Sequence, residues 1–401
     1  MRFKYKCHDC GFETVTDDII YLCPHCGSTE KEGEFRKGIL SVIYEDDELK
    51  TLAARPDLGV SDFLPYPIVD ADTFPLGPTP VVRSRRIRER YGLDVCFKMD
   101  SQLLSGSFKD RASLLVAMQA MAHGQTKIAL ASTGNAGAAM SAIGAAYGLD
   151  IVLFVPASAP VNKLMQSVLY GAHVVPVRGS YDDAFALSLE YTKKKGGINR
   201  NTAYNPMTIE GKKTSSIELF FQLGRKAPDV IYVPTGDGCI LGGVYKGFYD
   251  LLHAGLIERL PRIICAQSEG SMAIAQAIES GEYRNVKADT IADSISVSSP
   301  ANGRMAVRAV RESGGYAVCV SDGEILAAQR ELCSSAGLFA EPAASAAYAA
   351  FLKDRKNLDP SQTVTVLLTG TGFKDMAVFE NKLSLPQAVD NDPAVIDSLP
   401  F

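Results

Sequence analysis

The sequence predicts an α/β protein: two lobes of mainly parallel sheet flanked by helices, plus a small cysteine-bearing module at the N-terminus. Three observations predict it. Eight short apolar segments alternate with helical stretches from residue 95 onward, and strands in such alternation pair in parallel, with helices on both faces. The chain has 401 residues, more than one ordinary core organises. Two Cys-x2-Cys pairs lie within the first 26 residues, ahead of the first apolar segment.

Composition narrows the function. Apolar residues make up 46% and charged residues 22%, an ordinary globular balance. Lys plus Arg is 41 and Asp plus Glu is 46, a net charge of −5, which offers no surface to nucleic acid or to a membrane. No apolar run is long enough to span a bilayer. The start, MRFKYKCHDC, lacks the apolar core of a signal peptide, so a soluble cytoplasmic protein is expected. Nine cysteines, an odd number, do not read as a secreted disulfide framework.

Residues 7–26 read CHDCGFETVTDDIIYLCPHC. Two knuckles at this spacing bring Cys7, Cys10, Cys23 and Cys26 around one tetrahedral Zn2+, which would be structural because four thiolates leave no open position. About thirty residues hold too little core to fold alone, and metal supplies the missing stability. A pair of redox dithiols is the alternative. His8 and His25 are spare donors expected to face solvent. The ribbon is assigned to 1–36. Residues 37–75, with their prolines, read as a connector without regular structure.

Candidate strands follow at 95–99, 127–132, 151–156, 173–177, 230–234, 262–267, 317–321 and 364–369. Helices are expected over the stretch after Arg111 and over 136–147, 161–170, 181–195, 213–225, 241–254, 271–280, 324–336 and 342–353. Ligands of parallel sheets sit beyond the carboxyl ends of the strands. Four Gly-rich loops stand there: SGSFKDR (105–111), STGNAG (132–137), PTGDGCILGG (234–243) and TGTGFKD (369–375).

Lys109 stands between a Gly-rich turn and an apolar helix, a setting that a solvated lysine does not need. In PTGDGCILGG, glycines let backbone N–H groups converge at a helix N-terminus, an anion cradle suited to phosphate; a plain tight turn is the alternative. Asp237 would repel a phosphate unless it points away. Cys239 is activated by the helix end or, as favoured here, is a small packed residue. In STGNAG, Ser132, Thr133 and Asn135 suit a carboxylate or phenolic oxygen, or simply an N-cap. Thr369 and Thr371 stand in the last loop. A phosphate cradle plus a poised lysine points to pyridoxal 5′-phosphate held as a Schiff base.

With SFKDR, STGN, NKLMQSVLYGAHVVPVRGSYDDA, IEGKKT, PTGDG, EPAASAA and TGTGFKD in order, the chain resembles the fold-type II pyridoxal-phosphate enzymes of the tryptophan synthase beta superfamily, and within them the threonine synthase-like enzymes. The resemblance covers roughly residues 75–380. It implies a lyase of amino-acid metabolism acting on a small amino acid, and a homodimer. It also implies a large cofactor lobe (76–112 and 222–385), a small mobile lobe (113–221) that closes over substrate, and a C-terminal tail (386–401). By resemblance, Lys109 forms the Schiff base and, once freed, serves as general base at Cα. Asn135 bonds the cofactor 3-hydroxyl, while Ser132, Thr133 and Gly134 hold the substrate carboxylate. Gly236, Asp237, Gly238, Cys239 and Ile240 line the phosphate cradle, Thr369 meets the pyridine nitrogen, and Phe108 packs near the ring. Asp110 and Arg111 are expected to form a structural pair.

The chain departs from that family in one direction. Its lysine loop usually reads N-P-T-G-S-F-K-D-R-G; here it is QLLSGSFKDRA, with Leu104, Ser105 and Ala112 as substitutes. The substrate-phosphate segment usually reads N-S-x-N-P-x-R-x-E-G-Q-K-T; here it is TAYNPMTIEGKKT, with Thr202 and Ala203 for Asn-Ser and Thr208 for the arginine. Lost donors and a lost bidentate cation weaken the hold on a phosphate dianion. Lys212, four positions after Thr208, is the candidate replacement on a shared helix face; a solvated lysine is the alternative. Three functions follow. One is a threonine synthase acting on O-phosphohomoserine through a rearranged phosphate site. Another is β-replacement (cysteine or cysteate synthesis) or β-elimination (serine/threonine dehydratase or diaminopropionate lyase) on a non-phosphorylated amino acid. The third is a catalytically silent cofactor-binding regulatory protein.

Overall fold

The computed structural model describes residues 2–29, 32–379 and 387–399; parts of the expected tail and of the large-lobe boundary at 385 lie outside them. Among the described residues, β1 (Lys4–Cys7), β2 (Glu13–Thr14) and β3 (Leu40–Ile43) form an antiparallel sheet in the order β2-β1-β3. Then come β4 (Val81–Arg83), β5 (Asp94–Lys98), β6 (Lys127–Ala131), β7 (Asp150–Pro156), β8 (His173–Val177) and β9 (Ile198–Asn199). The last strands are β10 (Val230–Pro234), β11 (Arg262–Ser268), β12 (Ala317–Val320) and β13 (Thr363–Leu367).

These ten strands make two sheets, one of order β12-β11-β10-β13-β5-β4 and one of order β8-β7-β6-β9. Every neighbouring pair is parallel except β4 with β5. Helices flank both sheets, as the alternating sequence requires. All five residues of β10 are buried, the continuous apolar run expected of a strand covered on both faces. Ile231 pairs with Ile263 on one side and Thr365 on the other, so the loops after β10 and β13 open at one edge. The eight expected strands are all present, with their ends shifted by a residue or two.

Short elements escaped the sequence reading. β4 has three residues at a sheet edge, too few to show a period. The helix Gly303–Glu312 buries Met305, Ala306, Val307, Ala309 and Val310 against arginines at 304, 308 and 311, an amphipathic pattern that was overlooked. The connector is only partly irregular, because β3 and the helix Asp46–Ala53 fall inside it. Both precede Pro56, where the prolines begin. β3 pairs with β1 from Lys4–Ile43 to Cys7–Leu40, so the N-terminal sheet continues past residue 36.

The N-terminal sheet is docked on the body. Tyr5, Cys7, Leu40 and Val42 are buried in one core with Leu114 and Phe248. Phe35 lies so close to Gly303 that a Cβ there would come within 2.4 Å of its ring. The Tyr44 hydroxyl contacts the Phe63 carbonyl and Glu210, each at 3.0 Å.

Candidate active site

Lys109 opens the helix Lys109–Ala122. The preceding turn needs Gly106, at φ +85°, where a Cβ would press on the side chains of Thr371 and Lys374. The Phe108 N–H donates to the Thr369 carbonyl at 2.7 Å, and Ser107 bridges Gly370. The SGSFKDR and TGTGFKD loops are thus locked together.

Asp110 and Arg111 do not pair with each other, contrary to expectation. The Asp110 carboxylate accepts from the Ser105 N–H at 2.9 Å and from the Ser105 hydroxyl, which pins the turn. Arg111 donates to both oxygens of Asp100, at 2.8 and 3.0 Å, and to Glu218 at 3.2 Å. Consecutive helical residues point about 100° apart, so one turns toward the loop and the other toward the core.

A narrow cleft opens beside Lys109. Phe108, Lys109, Asn135, Gly236, Asp237, Cys239, Ile240 and Thr369 all line it. Gly238 lies behind the cradle against the Asn302 carbonyl. The Ser132 hydroxyl accepts from the N–H groups of Gly137 at 3.0 Å and Gly134 at 3.3 Å, so it caps the following helix, Asn135–Tyr147. Thr133 and Gly134 are half-buried in the same turn.

The electrostatics suit a lysine that reacts. Lys109 has no hydrogen-bond or ion-pair partner among the described residues. Burial lowers its pKa, against the opposing pull of Asp237, Cys239 and Glu341, which favours the neutral, nucleophilic amine. Burial raises the Asp237 pKa against Lys109, which reduces the repulsion expected beside a phosphate. Burial also pushes the Cys239 thiol up to about 12, and Cys239 packs in one cluster with Ile39, Ala203, Ile209 and Met305.

Two cleft residues were missed. Glu341 is buried and accepts from Asn135 Nδ2 at 3.1 Å. Its signal was the EPAASAA motif, but a Glu before a helix-opening Pro reads as an ordinary cap. Ser107 lines the cleft with a buried hydroxyl that has no partner among the described residues; no local pattern marks it.

These residues fit a phosphate-bearing cofactor. The orphan Ser107 hydroxyl awaits an acceptor. Backbone N–H groups of 236–240 gather at the start of the helix Cys239–His253, a natural anion site. A Cβ at Gly236 would come 2.8 Å from the Ile295 Cα, and one at Gly238, φ +81°, 2.9 Å from the Asn302 carbonyl oxygen. Gly238→Ala is therefore expected to weaken cofactor binding about tenfold or more, since a left-handed non-Gly residue costs about 1–3 kcal/mol. Titration of the apoprotein followed by cofactor absorbance measures this; unchanged affinity would remove 238 from the cradle.

Of the substrate-phosphate positions, only Thr202 lines the cleft. Ala203, at φ 64°, donates its N–H to the Thr208 hydroxyl at 3.1 Å, and that hydroxyl donates to the Asn205 carbonyl at 2.7 Å. Both residues hold the loop together. Lys212 is fully buried and not solvated, its Nζ donating to the Thr208 carbonyl at 2.5 Å.

The N-terminal cysteines could hold a metal. All four sulfurs lie within 4.8 Å of one another, with Cys7–Cys26 and Cys10–Cys23 at 3.5 Å. A tetrahedral ion with ~2.3 Å bonds to sulfur places its ligands about 3.8 Å apart.

A lysine facing a glycine cradle across one cleft, on an α/β frame, defines the class of protein. Residues 73–370 match the family described as pyridoxal-phosphate dependent enzymes, and the chain belongs to it. Within that class it is 32% identical to the threonine synthase of Methanosarcina acetivorans, across 97% of this chain and 96% of that one. It is 31% identical to the threonine synthase of Methanocaldococcus jannaschii, over 92% of each. With the threonine synthase of Mycobacterium tuberculosis it shares 32% identity over 80% and 89%. Among solved structures, maize serine racemase superposes with a TM-score of 0.66 at 23% identity, covering 76% of this chain and 91% of that one. The fungal L-serine ammonia-lyase of Rhizomucor miehei also gives 0.66 at 23%, over 76% and 97%. These two share the fold. The expected α/β architecture and the expected enzyme class, a pyridoxal-phosphate-dependent lyase, are borne out. No helix among the described residues is long and apolar enough to cross a membrane.

Proposed function

We propose that this chain converts O-phosphohomoserine to threonine and phosphate. The unpaired Lys109 amine, facing a glycine cradle in one buried cleft, carries the reading; relatives that are threonine synthases over nearly the whole chain support it. Pyridoxal phosphate, when bound, supplies the electron sink that lets a Cα–H bond break. The 236–240 cradle would hold its phosphate, Asn135 its ring hydroxyl, and Thr369 its ring nitrogen, with Phe108 against the ring. A threonine hydroxyl leaves that nitrogen neutral, which suits elimination and replacement. Glu341 holds the Asn135 amide in place. Lys109 takes the proton from Cα and returns protons during the rearrangement. The 132–135 turn receives the substrate carboxylate. A proton leaves Cβ as phosphate departs from Cγ, Cγ then takes up a proton, water adds its hydroxyl at Cβ, and Cα regains a proton.

Closure of the segment 113–221 over the substrate would exclude water from the cleft. A homodimer in the cytoplasm completes the reading. The four cysteines bind structural Zn2+. Stripping that metal is expected to lower the melting temperature by about 5 °C or more, because the ribbon packs on the helix beside the cradle. Calorimetry before and after chelation tests this, and metal analysis finding no zinc in freshly purified protein would remove the assignment.

A second reading, β-elimination or β-replacement on a non-phosphorylated amino acid, is favoured by one observation: Ala203 and Thr208 are turned into the loop and offer nothing to a phosphate. Comparing kcat/KM for O-phosphohomoserine, serine, O-acetylserine, O-phosphoserine and diaminopropionate separates the two. O-Phosphohomoserine is expected to lead by at least tenfold; preference for an uncharged leaving group would replace the proposal. A silent regulatory protein would leave the cofactor spectrum unchanged with all five.

A further inference from the structure

The ribbon and the body leave a cavity of about 140 Å³ between them. Its walls come from β1, β3 and the helices Cys239–His253 and Gly303–Glu312. It shares no lining residue with the cleft at Lys109. Leu40, Val42, Ile209 and Met305, all buried, give it an apolar floor. Arg308 and Glu312, one helical turn apart, stand at its more open side with Lys6. A cavity of about 150 Å³ holds a benzene ring, so this one takes an aliphatic group of similar bulk.

The helix Gly303–Glu312 carries three arginines, two of which tie it to its neighbours. Arg304 donates to the Phe35 carbonyl at 3.4 Å, and Arg311 to the Ala277 and Ile278 carbonyls at 3.2 and 3.0 Å. Arg308 faces the cavity instead. Its Nε is buried without a hydrogen-bond partner among the described residues, and Oε1 of Glu312 stands 3.6 Å away, beyond hydrogen-bond reach. The other cations of the cavity are satisfied: Lys246 pairs with Asp250, and Lys6 with Glu13 at 2.7 Å. Glu312 accepts from the Tyr245 hydroxyl through Oε2, which leaves Oε1 as the oxygen beside Arg308. A buried donor left unmade is costly, and a carboxylate would satisfy it; a carboxylate oxygen next to it suits an ammonium. A carboxylate and an ammonium on one carbon, with an apolar group below, describe an aliphatic α-amino acid. The same helix begins beside the cofactor cradle: Asn302 donates its N–H to the Asp237 carbonyl at 2.9 Å and its Nδ2 to the Gly238 carbonyl at 3.2 Å. We infer that this cavity is a second small-molecule site that takes a free aliphatic α-amino acid, with its carboxylate on Arg308, its ammonium on Glu312 and its side chain on the apolar floor, and that its occupancy is felt at the cradle through Asn302. The site does not depend on which substrate the cleft accepts.

The test titrates holoenzyme by calorimetry with L-valine, L-leucine and L-isoleucine in turn, and with 3-methylbutanoate and isobutylamine, which are valine without its amine and without its carboxylate. Saturable binding of an amino acid is expected with the cofactor spectrum unchanged, because the ligand lies away from the cleft. Each valine analogue should bind about tenfold or more weakly than valine, since each loses a charge-assisted contact. Arg308→Gln removes the donor and Ile43→Trp fills the cavity; either should weaken binding by about tenfold or more and leave turnover without added amino acid as it was. Glu312→Gln, on the exposed side, carries the same comparison should those two not fold. The affinity of apoprotein for cofactor should shift when the amino acid is present, and the amino acid's affinity should shift by the same factor when cofactor is bound. No saturable binding of any of the three amino acids would overturn the inference. Binding that changes the cofactor spectrum, or that survives Arg308→Gln at full strength, would place the amino acid in the cleft and overturn it as well. Binding at the cavity with cofactor affinity unmoved would overturn the link through Asn302.

Discussion

Lys109→Ala is expected to lower turnover by about 10²–10⁴-fold, the range supplied by a positioned acid–base group. The variant should still fold, because the helix it opens is anchored elsewhere: Asp110 pins the turn through Ser105, and Arg111 ties the helix to Asp100 and Glu218. Two readouts separate chemistry from folding. Borohydride treatment of the wild type should leave the cofactor mass on the Lys109 peptide, and the variant should carry none. Exchange of the substrate Cα proton with solvent should vanish with turnover. A variant that keeps the cofactor covalently, or keeps that exchange, would show that another amine does the work; Lys212 would be the first to examine.

Arg111→Ala is expected to be the most destabilising single change in the chain, at about 3–5 kcal/mol. It would leave the carboxylates of Asp100 and Glu218 buried with one fewer cation. Arg111 also touches Thr214 at 3.0 Å, so the change loosens the joint between the Lys109 helix and the helix Thr214–Gln222. The pH dependence follows. Burial pushes the Asp100 carboxyl up, but Arg111 and Lys98 override it and hold it at about 2, below an unfolded value of about 3.9. A depressed carboxylate stabilises the fold above its unfolded pKa, and that contribution fades as pH falls from about 4 to about 2. Denaturant melts of wild type should show this acid loss, and Arg111→Ala should start lower and show less of it. A variant as stable as wild type at neutral pH would mean that the network contributes nothing.

What was legible in the sequence was what lies in the backbone and in local order. Alternating apolar runs gave the strands because a parallel strand buried on both faces is apolar throughout. The Gly-rich loops gave the cleft because only glycine permits the close approaches at 236 and 238. Lys109 was legible as a residue whose setting serves no packing purpose. What was not legible depends on neighbours far along the chain. Glu341 reads as a helix cap until its bond to Asn135 is seen, some two hundred residues away. Asp110 and Arg111 read as a pair because they are adjacent, whereas helix geometry sends them to different partners. Lys212 read equally well as a surface residue, because its burial is a property of the folded surroundings. The N-terminal sheet runs past residue 36 for the same reason: β3 is strand because β1 lies beside it.

The central claim is that this cleft joins a lysine-held cofactor to a phosphorylated amino acid. Its most direct test mixes cofactor-loaded protein with O-phosphohomoserine and follows phosphate, threonine and the cofactor spectrum together. The expected result is a spectral change on mixing, then phosphate and threonine released one for one. An unchanged spectrum with no phosphate would contradict the claim, and the changes at Thr202, Ala203 and Thr208 would then mark a different substrate.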